Sequence, residues 1–366
     1  MTATTLRACN TRDCVIVADR YCYTSHPHCV RLPAQELLIV FNQSVRRERV
    51  QHPPSDPLVR NYTVRSHDLG ETWLSPRAVP DYNWSGVECA SLTPTSDGGL
   101  LLNQWRFHWL PVEDSGWASL PAGAEAPAAF SGYAGMSAAP AMTWARAAGG
   151  SYVHRSADGG RTWKETAELD VSPYSGGYGI RGAVRLSGGD LLLPLSDVPN
   201  YAVVFGVRSA DGGRSWQPPT PIARADGRLF EEPAAAVLDD GTVLMMLRES
   251  VSDHLYQCRS HDDGASWTEP SDTGVVGCPP HLCQLTDGRL LCTYGFRYFP
   301  YEIRCVVSAD GGATWGDPVT IRTSLGSMDI GYPSSVELPG GRILTVYYGP
   351  LIDGTSAILG TIFDFP

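Results

Sequence analysis

The sequence predicts an all-β propeller of six blades, and three observations carry that prediction. An octapeptide, Ser-x-Asp-x-Gly-x-(Thr/Ser)-Trp, is written five times; six apolar hairpins lie among the copies; and one N-terminal strand accounts for the difference in number. The copies run Ser66–Trp73, Ser156–Trp163, Ser209–Trp216, Ser260–Trp267 and Ser308–Trp315. A period near fifty residues marks a repeat architecture. Within each copy, Ser and Asp can bond the local backbone, Gly supplies positive φ, and Trp anchors the turn on apolar surface.

The hairpins are apolar runs joined by Gly-containing turns. They are Cys29–Leu32 with Leu37–Phe41, Cys89–Leu92 with Leu100–Leu102, Ala183–Leu186 with Leu191–Leu193, Ala234–Leu238 with Val243–Leu247, Leu282–Leu285 with Leu290–Tyr294, and Val336–Leu338 with Ile343–Tyr347. A third strand, an octapeptide and a fourth strand follow each of the first five. The sixth is followed only by Ser356–Phe363, so Cys14–Val17 is expected to supply its outer strand and close the ring, removing its edges. The whole chain, residues 1–366, is then one propeller domain. Successive copies start 90, 53, 51 and 48 residues apart, and the long first interval exposes an insertion from Phe107 to about Gly150 in blade two. Long loops of this kind are lids, binding loops or oligomer contacts, so self-association is expected to run through it.

Composition bounds the function. A formal charge of -11 argues against nucleic acid or an anionic membrane as partner, while leaving room for focused arginines that hold an acidic ligand. Ten cysteines lie largely in apolar runs, with no Cys-x-x-Cys pair, so neither a disulfide framework nor structural zinc is expected. The N-terminus shows no apolar signal core and no run reaches membrane-spanning length, which gives a cytoplasmic expectation. No cofactor is expected.

Strand polarity sorts the polar residues. The starts of the innermost strands and the ends of the second strands share one rim, opposite the Gly turns and octapeptides. That rim collects His26, His28, Glu88, Arg181, Glu231, Glu232, His281, Asp329 and Tyr332 from strand starts. From strand ends it collects Gln104, Arg106, Arg248 and Arg297. The five repeated aspartates, by contrast, read as fold residues. His26, His28, His52 and His281 are spaced too irregularly to predict a metal site.

The octapeptide is the Asp-box, and the chain resembles the sialidase superfamily of six-bladed propellers. Glu232 to Arg248 resembles the family stretch with a buried glutamate and one arginine of a carboxylate-binding triad. Gly331 to Tyr347 resembles the stretch that begins with the nucleophilic tyrosine. The resemblance implies Tyr332 as nucleophile and Glu232 as the base that takes its proton, since a phenol with a pKa near 10 is otherwise weak. Sialidases depart in this way from the usual pair of carboxylates. In blade one, Ser25 stands where the family's Arg-Ile-Pro has its arginine, and Tyr301 falls near the third arginine, with Arg297 four residues away. The family's general acid maps onto Asp56, with His26 or His28 as another acid/base. The implied activity is exo-acting hydrolysis of a carboxylate-bearing sugar. Tyr332, Glu232, Asp56 and His26 would be catalytic, and Arg248, Arg297, Arg181, Glu88, His28, Gln104, Arg106 and His281 would bind substrate. Two other readings stay open: a lyase using His and Tyr on uronic acid glycans, and a carbohydrate-binding propeller without turnover.

Overall fold

A computed structural model describes residues 6–46, 58–79, 85–111, 144–147, 150–198 and 201–365, with only the backbone for 85–88, 107–111 and 144–147. Among these residues there is no helix, and the strands form six small sheets arranged as a six-bladed propeller. Blade four is the plainest, a meander of Phe230–Val237, Val243–Glu249, His254–Ser260 and Ser271–Val276. Blade six combines Gly331–Glu337, Ile343–Pro350 and Ser356–Asp364 with the N-terminal strand Cys9–Ala18. That last strand pairs antiparallel with Ser356–Asp364, so the ring closes as the octapeptide count requires. The two residues Leu6–Arg7 add an unanticipated parallel strand to the outer edge of blade five.

The Asp-boxes are self-satisfied turns. In the first, Asp68 accepts from the Ser66 hydroxyl at 2.8 Å, from the Thr72 amide at 2.8 Å and from the Thr72 hydroxyl at 2.6 Å. Those bonds, from Thr72 above all, hold the Asp68 carboxyl down to about 2. The boxes also dock the blades. A Cβ built on the last box glycine would meet a leucine of the preceding blade in all five copies: Gly70 on Leu344, Gly160 on Leu38, Gly213 on Leu101, Gly264 on Leu192 and Gly312 on Leu244. At Gly160, Gly213 and Gly312 the distance would be 2.9, 2.5 and 2.7 Å, too close for a side chain without a shift, whereas at Gly70 and Gly264 it is ordinary contact at 3.7 and 3.6 Å.

A second repeated device lies at the other end of the innermost strands. Their pairing with the second strand slips between Ser25 and His28, Glu88 and Ala90, Glu231 and Ala234, Cys278 and His281, and Gly331 and Ser334. Four of these bulges hold a non-glycine residue at positive φ: His26 at 51°, Cys89 at 30°, Glu232 at 51° and Tyr332 at 49°. His26, Glu232 and Tyr332 each precede a proline, which has no amide to give the ladder. A bulge re-aims a side chain, and left-handed backbone at such a place is a mark of a functional site.

Blade two carries its insertion as an extended hairpin. Leu100–Pro111 pairs with Trp144–Ala147 in the register His108 to Ala147 through Pro111 to Trp144. The tip of the insertion, 112–143, lies outside the described residues, as does the expectation of self-association through it.

Candidate active site

The bulges bring together the couple that the sequence reading put first. The Tyr332 hydroxyl donates a short hydrogen bond to Glu232 Oε1, across 100 positions of sequence. The other carboxylate oxygen accepts from Arg248 Nη1 at 2.8 Å, and the Tyr178 hydroxyl donates to Oε1 at 3.5 Å. Tyr332 is 4% exposed and Glu232 2%. Burial alone would raise the Glu232 carboxyl, but Arg248's charge and hydrogen bond, with Tyr332's, outweigh it and hold it low. Burial and the Glu232 charge push the Tyr332 phenol well above its ordinary value. The shared proton therefore rests on Tyr332.

Glu231, next in sequence, titrates the other way. Burial raises its carboxyl against the opposing pull of Arg248, whose Nε lies 3.6 Å away. Two adjacent carboxyls are thus split into one held ionised and one pushed toward the neutral form. Environments that separate a carboxyl pair in this way are a recurrent feature of acid–base sites.

Arg297 covers the couple from blade five. Its guanidinium carbon lies 5.7 Å from the centre of the Tyr332 ring, and its Nε donates to the Ile330 carbonyl at 3.1 Å. Tyr301 instead packs with the apolar core between blades five and six. His26 sits edge-on to Tyr332, ring centres 4.0 Å apart, with Nδ1 3.3 Å from Asn42 Oδ1. Burial first, then the Arg297 charge, drives its imidazole down to about 3. His26 is consequently neutral near pH 7 and carries no acidic proton for a leaving group. Asp56 lies outside the described residues, and Glu88 has a described backbone only.

Gln104 and Arg106 belong to a buried polar chain that runs from the centre into blade two. Asn42 Nδ2 donates to Asn61 Oδ1 at 2.6 Å, and Asn61 meets the Gln104 amide at 2.9 Å. With that amide turned to satisfy its neighbours, Gln104 Oε1 accepts from Arg106 Nε at 2.9 Å and from His154 Nε2 at 2.6 Å. Arg181, His28 and His281 come together from blades three, one and five. Arg181 is 4% exposed and reaches from blade three to blade five, where Nε donates to the Pro280 carbonyl at 2.9 Å.

The sequence reading did not single out Tyr178 or Asn61, and it placed Asn42 and Tyr348 on the rim at strand ends without giving them a role. Tyr178 precedes the Arg181 turn and has no motif of its own. Tyr348 and Tyr23 both donate to Asp329, at 2.8 Å and at 2.8 and 2.9 Å. Asp329 and Tyr23 also wall a cavity of about 810 Å³, together with Ser44, Arg46, Arg322 and Ser356; Tyr332, Glu232, Arg248 and Arg297 do not line it. Among the described residues no cluster of His, Cys, Asp or Glu is able to hold a metal.

Comparison with known proteins agrees with this architecture. A BNR repeat-like domain model matches residues 136–345, over half of the chain. No curated protein matches the sequence. A protein of unknown function from Dyadobacter fermentans DSM 18053 superposes with a TM-score of 0.81 at 25% identity, covering 97% of this chain and 99% of that one. The K499G mutant of NanB sialidase from Streptococcus pneumoniae superposes at 0.66 with 13% identity, covering 93% and 68%. An α-L-arabinanase of Penicillium chrysogenum, complexed with arabinobiose, superposes at 0.63 with 16% identity, covering 99% and 98%. The last two share the fold, and both are glycoside hydrolases by name. The chain belongs to the BNR repeat-like domain family and folds as a six-bladed propeller.

Proposed function

We propose that the protein is an exo-acting glycoside hydrolase whose substrate is a sugar bearing a carboxylate. The observation that carries this reading is the Tyr332–Glu232–Arg248 chain of hydrogen bonds. Arg248 and Arg297 clamp the substrate carboxylate, using the planar fork that suits arginine to bidentate carboxylate pairing. A carboxylate on Arg248 competes with Glu232 for the same guanidinium, so substrate binding itself raises the proton affinity of Glu232. The Tyr332 oxygen then bonds to the anomeric carbon, its proton passes to Glu232, and the glycosidic C–O bond breaks. The leaving oxygen takes a proton from Asp56, the residue the family resemblance assigns to that role. Water then attacks the aryl glycoside, giving its proton to the Asp56 carboxylate, while Tyr332 leaves and recovers its proton from Glu232. A neutral nucleophile suits a carbon that already carries an anion.

A fluorinated acidic sugar tests the mechanism: mass spectrometry should find the sugar on Tyr332. Full activity of Tyr332→Phe would refute it. A sugar-binding propeller without turnover is the second reading, and the near-complete burial of Tyr332 favours it. It predicts saturable binding with no product. The lyase reading is the weakest, because an imidazole held at about 3 is a poor base for abstracting a carbon-bound proton.

A further inference from the structure

Three hydrogen-bond donors of blades one, three and five lie close together, and two of them, on His28 and Arg181, have no acceptor among the described residues. The first is Arg181, whose Nε is fixed on the Pro280 carbonyl and whose Nη2 is buried without a hydrogen-bond partner. The second is His28. Its Nδ1 accepts the Leu92 amide at 3.1 Å, so the ring hydrogen sits on Nε2, where no bond is made. The third is His281. Its Nδ1 accepts the Ser335 amide at 3.3 Å, which puts its hydrogen on Nε2 as well. Among the described residues that Nε2 meets only the Ser334 hydroxyl, in a long contact of 3.4 Å to an oxygen that also takes the Cys29 amide at 3.0 Å and donates to the Cys29 carbonyl at 3.4 Å.

The groups are held at one place. The two imidazole rings are 5.8 Å apart, centre to centre. The Arg181 side chain is anchored on the residue before His281. On its other side, Gly182 lies against the Leu92 carbonyl, where a Cβ would come within 2.3 Å, and Leu92 is the residue that orients His28. Burial first and then the Arg181 charge lower both imidazoles, so both are neutral donors. The carboxylate that acts on Arg181 is Glu232, and it is committed to Arg248, Tyr332 and Tyr178.

We propose that Arg181, His28 and His281 form a binding site for one small monovalent anion of the halide class. A buried cation with two neutral N–H groups and no acceptor beyond the engaged Ser334 hydroxyl is a favourable place for an anion. A water molecule there would have two hydrogens to donate and only the engaged Ser334 hydroxyl to take one. A metal cation would meet two N–H groups where it needs lone pairs, next to a positive charge. The proposal does not depend on any catalytic activity.

The test uses the full chain and sodium bromide. Crystals grown in bromide should show one anomalous peak per chain within hydrogen-bond distance of Arg181 Nη2 and both Nε2 atoms. In solution, the melting temperature should rise saturably when bromide or chloride replaces gluconate at constant ionic strength, and Arg181→Met should abolish that dependence. Should Arg181→Met fail to fold, His281→Phe should fold and lower the bromide occupancy. A peak with no bromine signal, a peak at the zinc edge, or melting temperatures equal in bromide and gluconate would overturn the proposal.

Discussion

Tyr332 and Glu232 occupy the same structural position in different blades. Each is the left-handed residue of the bulge at the start of an innermost strand, and each is followed by a proline. The blades are neighbours but one around the ring, so the two re-aimed side chains meet over the channel and share a hydrogen bond. His26 is the equivalent residue of blade one and packs against Tyr332 at 4.0 Å. A fold device repeated around the ring thus gathers three different chemistries at one point.

Arg297 separates an acidic from a neutral substrate. Under the proposed function, Arg297→Met should cut kcat/KM about a hundredfold for a carboxylate-bearing glycoside, the loss of about one charge-assisted bidentate contact. The amide of the same sugar should be affected little. Equal losses on both substrates would remove Arg297 from carboxylate recognition.

Arg248 also has a structural duty. Its side chain is 23% exposed, against 2% for Glu232, and it provides the direct ion pair to that carboxylate. Arg248→Met should destabilise the fold by about 3–5 kcal/mol, because breaking one side of a buried pair strands the other charge. Adding Glu232→Gln should recover much of the loss. Urea unfolding of the two variants checks this, and additive losses would refute it.

Acid should weaken the protein before its carboxylates titrate. His26 and His28 are lowered to about 3 and His154 to about 4, by burial first, and His281 is lowered also. Unfolded imidazoles take protons near 6.5, so the unfolded state binds more protons below that pH. The stability contributed by these depressed groups is complete above 6.5 and is lost as pH falls toward 4 and 3. Glu231 is raised and acts in the opposite sense, but it is one group against four. Asp68, Asp211 and Asp262, lowered to about 2, add a second loss between about 4 and 2. The melting temperature should drop measurably between pH 7.5 and 5. A flat profile there would show that the imidazoles are not buried neutral.

Turn glycines should be sensitive according to where they touch: Gly213 belongs to an Asp-box, Gly340 to the hairpin turn of blade six. Gly213 has φ +89° and a Cβ there would lie 2.5 Å from Leu101, whereas Gly340, at φ +86°, faces open space. Gly213→Ala should cost about 1–3 kcal/mol from overpacking on top of the backbone strain. Gly340→Ala should cost only the strain. Leu101→Ala should partly relieve Gly213→Ala in calorimetry, since the two sites are in contact.

Blade number, ring closure and the sorting of rim residues were all legible in the sequence. They depend on local signals: glycine turns, alternating apolar runs and an octapeptide that satisfies its own hydrogen bonds. The couple of Tyr332 and Glu232 was legible through resemblance, and the prolines after both residues marked the bulges without revealing their purpose. What only the tertiary structure decided is which side chains face one another across the ring. Arg181 looked like another rim arginine, yet it crosses the channel to Pro280; His26 looked like an acid, yet burial strips its proton; Tyr178 had no signal and bonds to Glu232. Sequence records each blade as a local pattern, but burial and charge at the centre are sums over all six blades. Those sums exist only once the ring has closed.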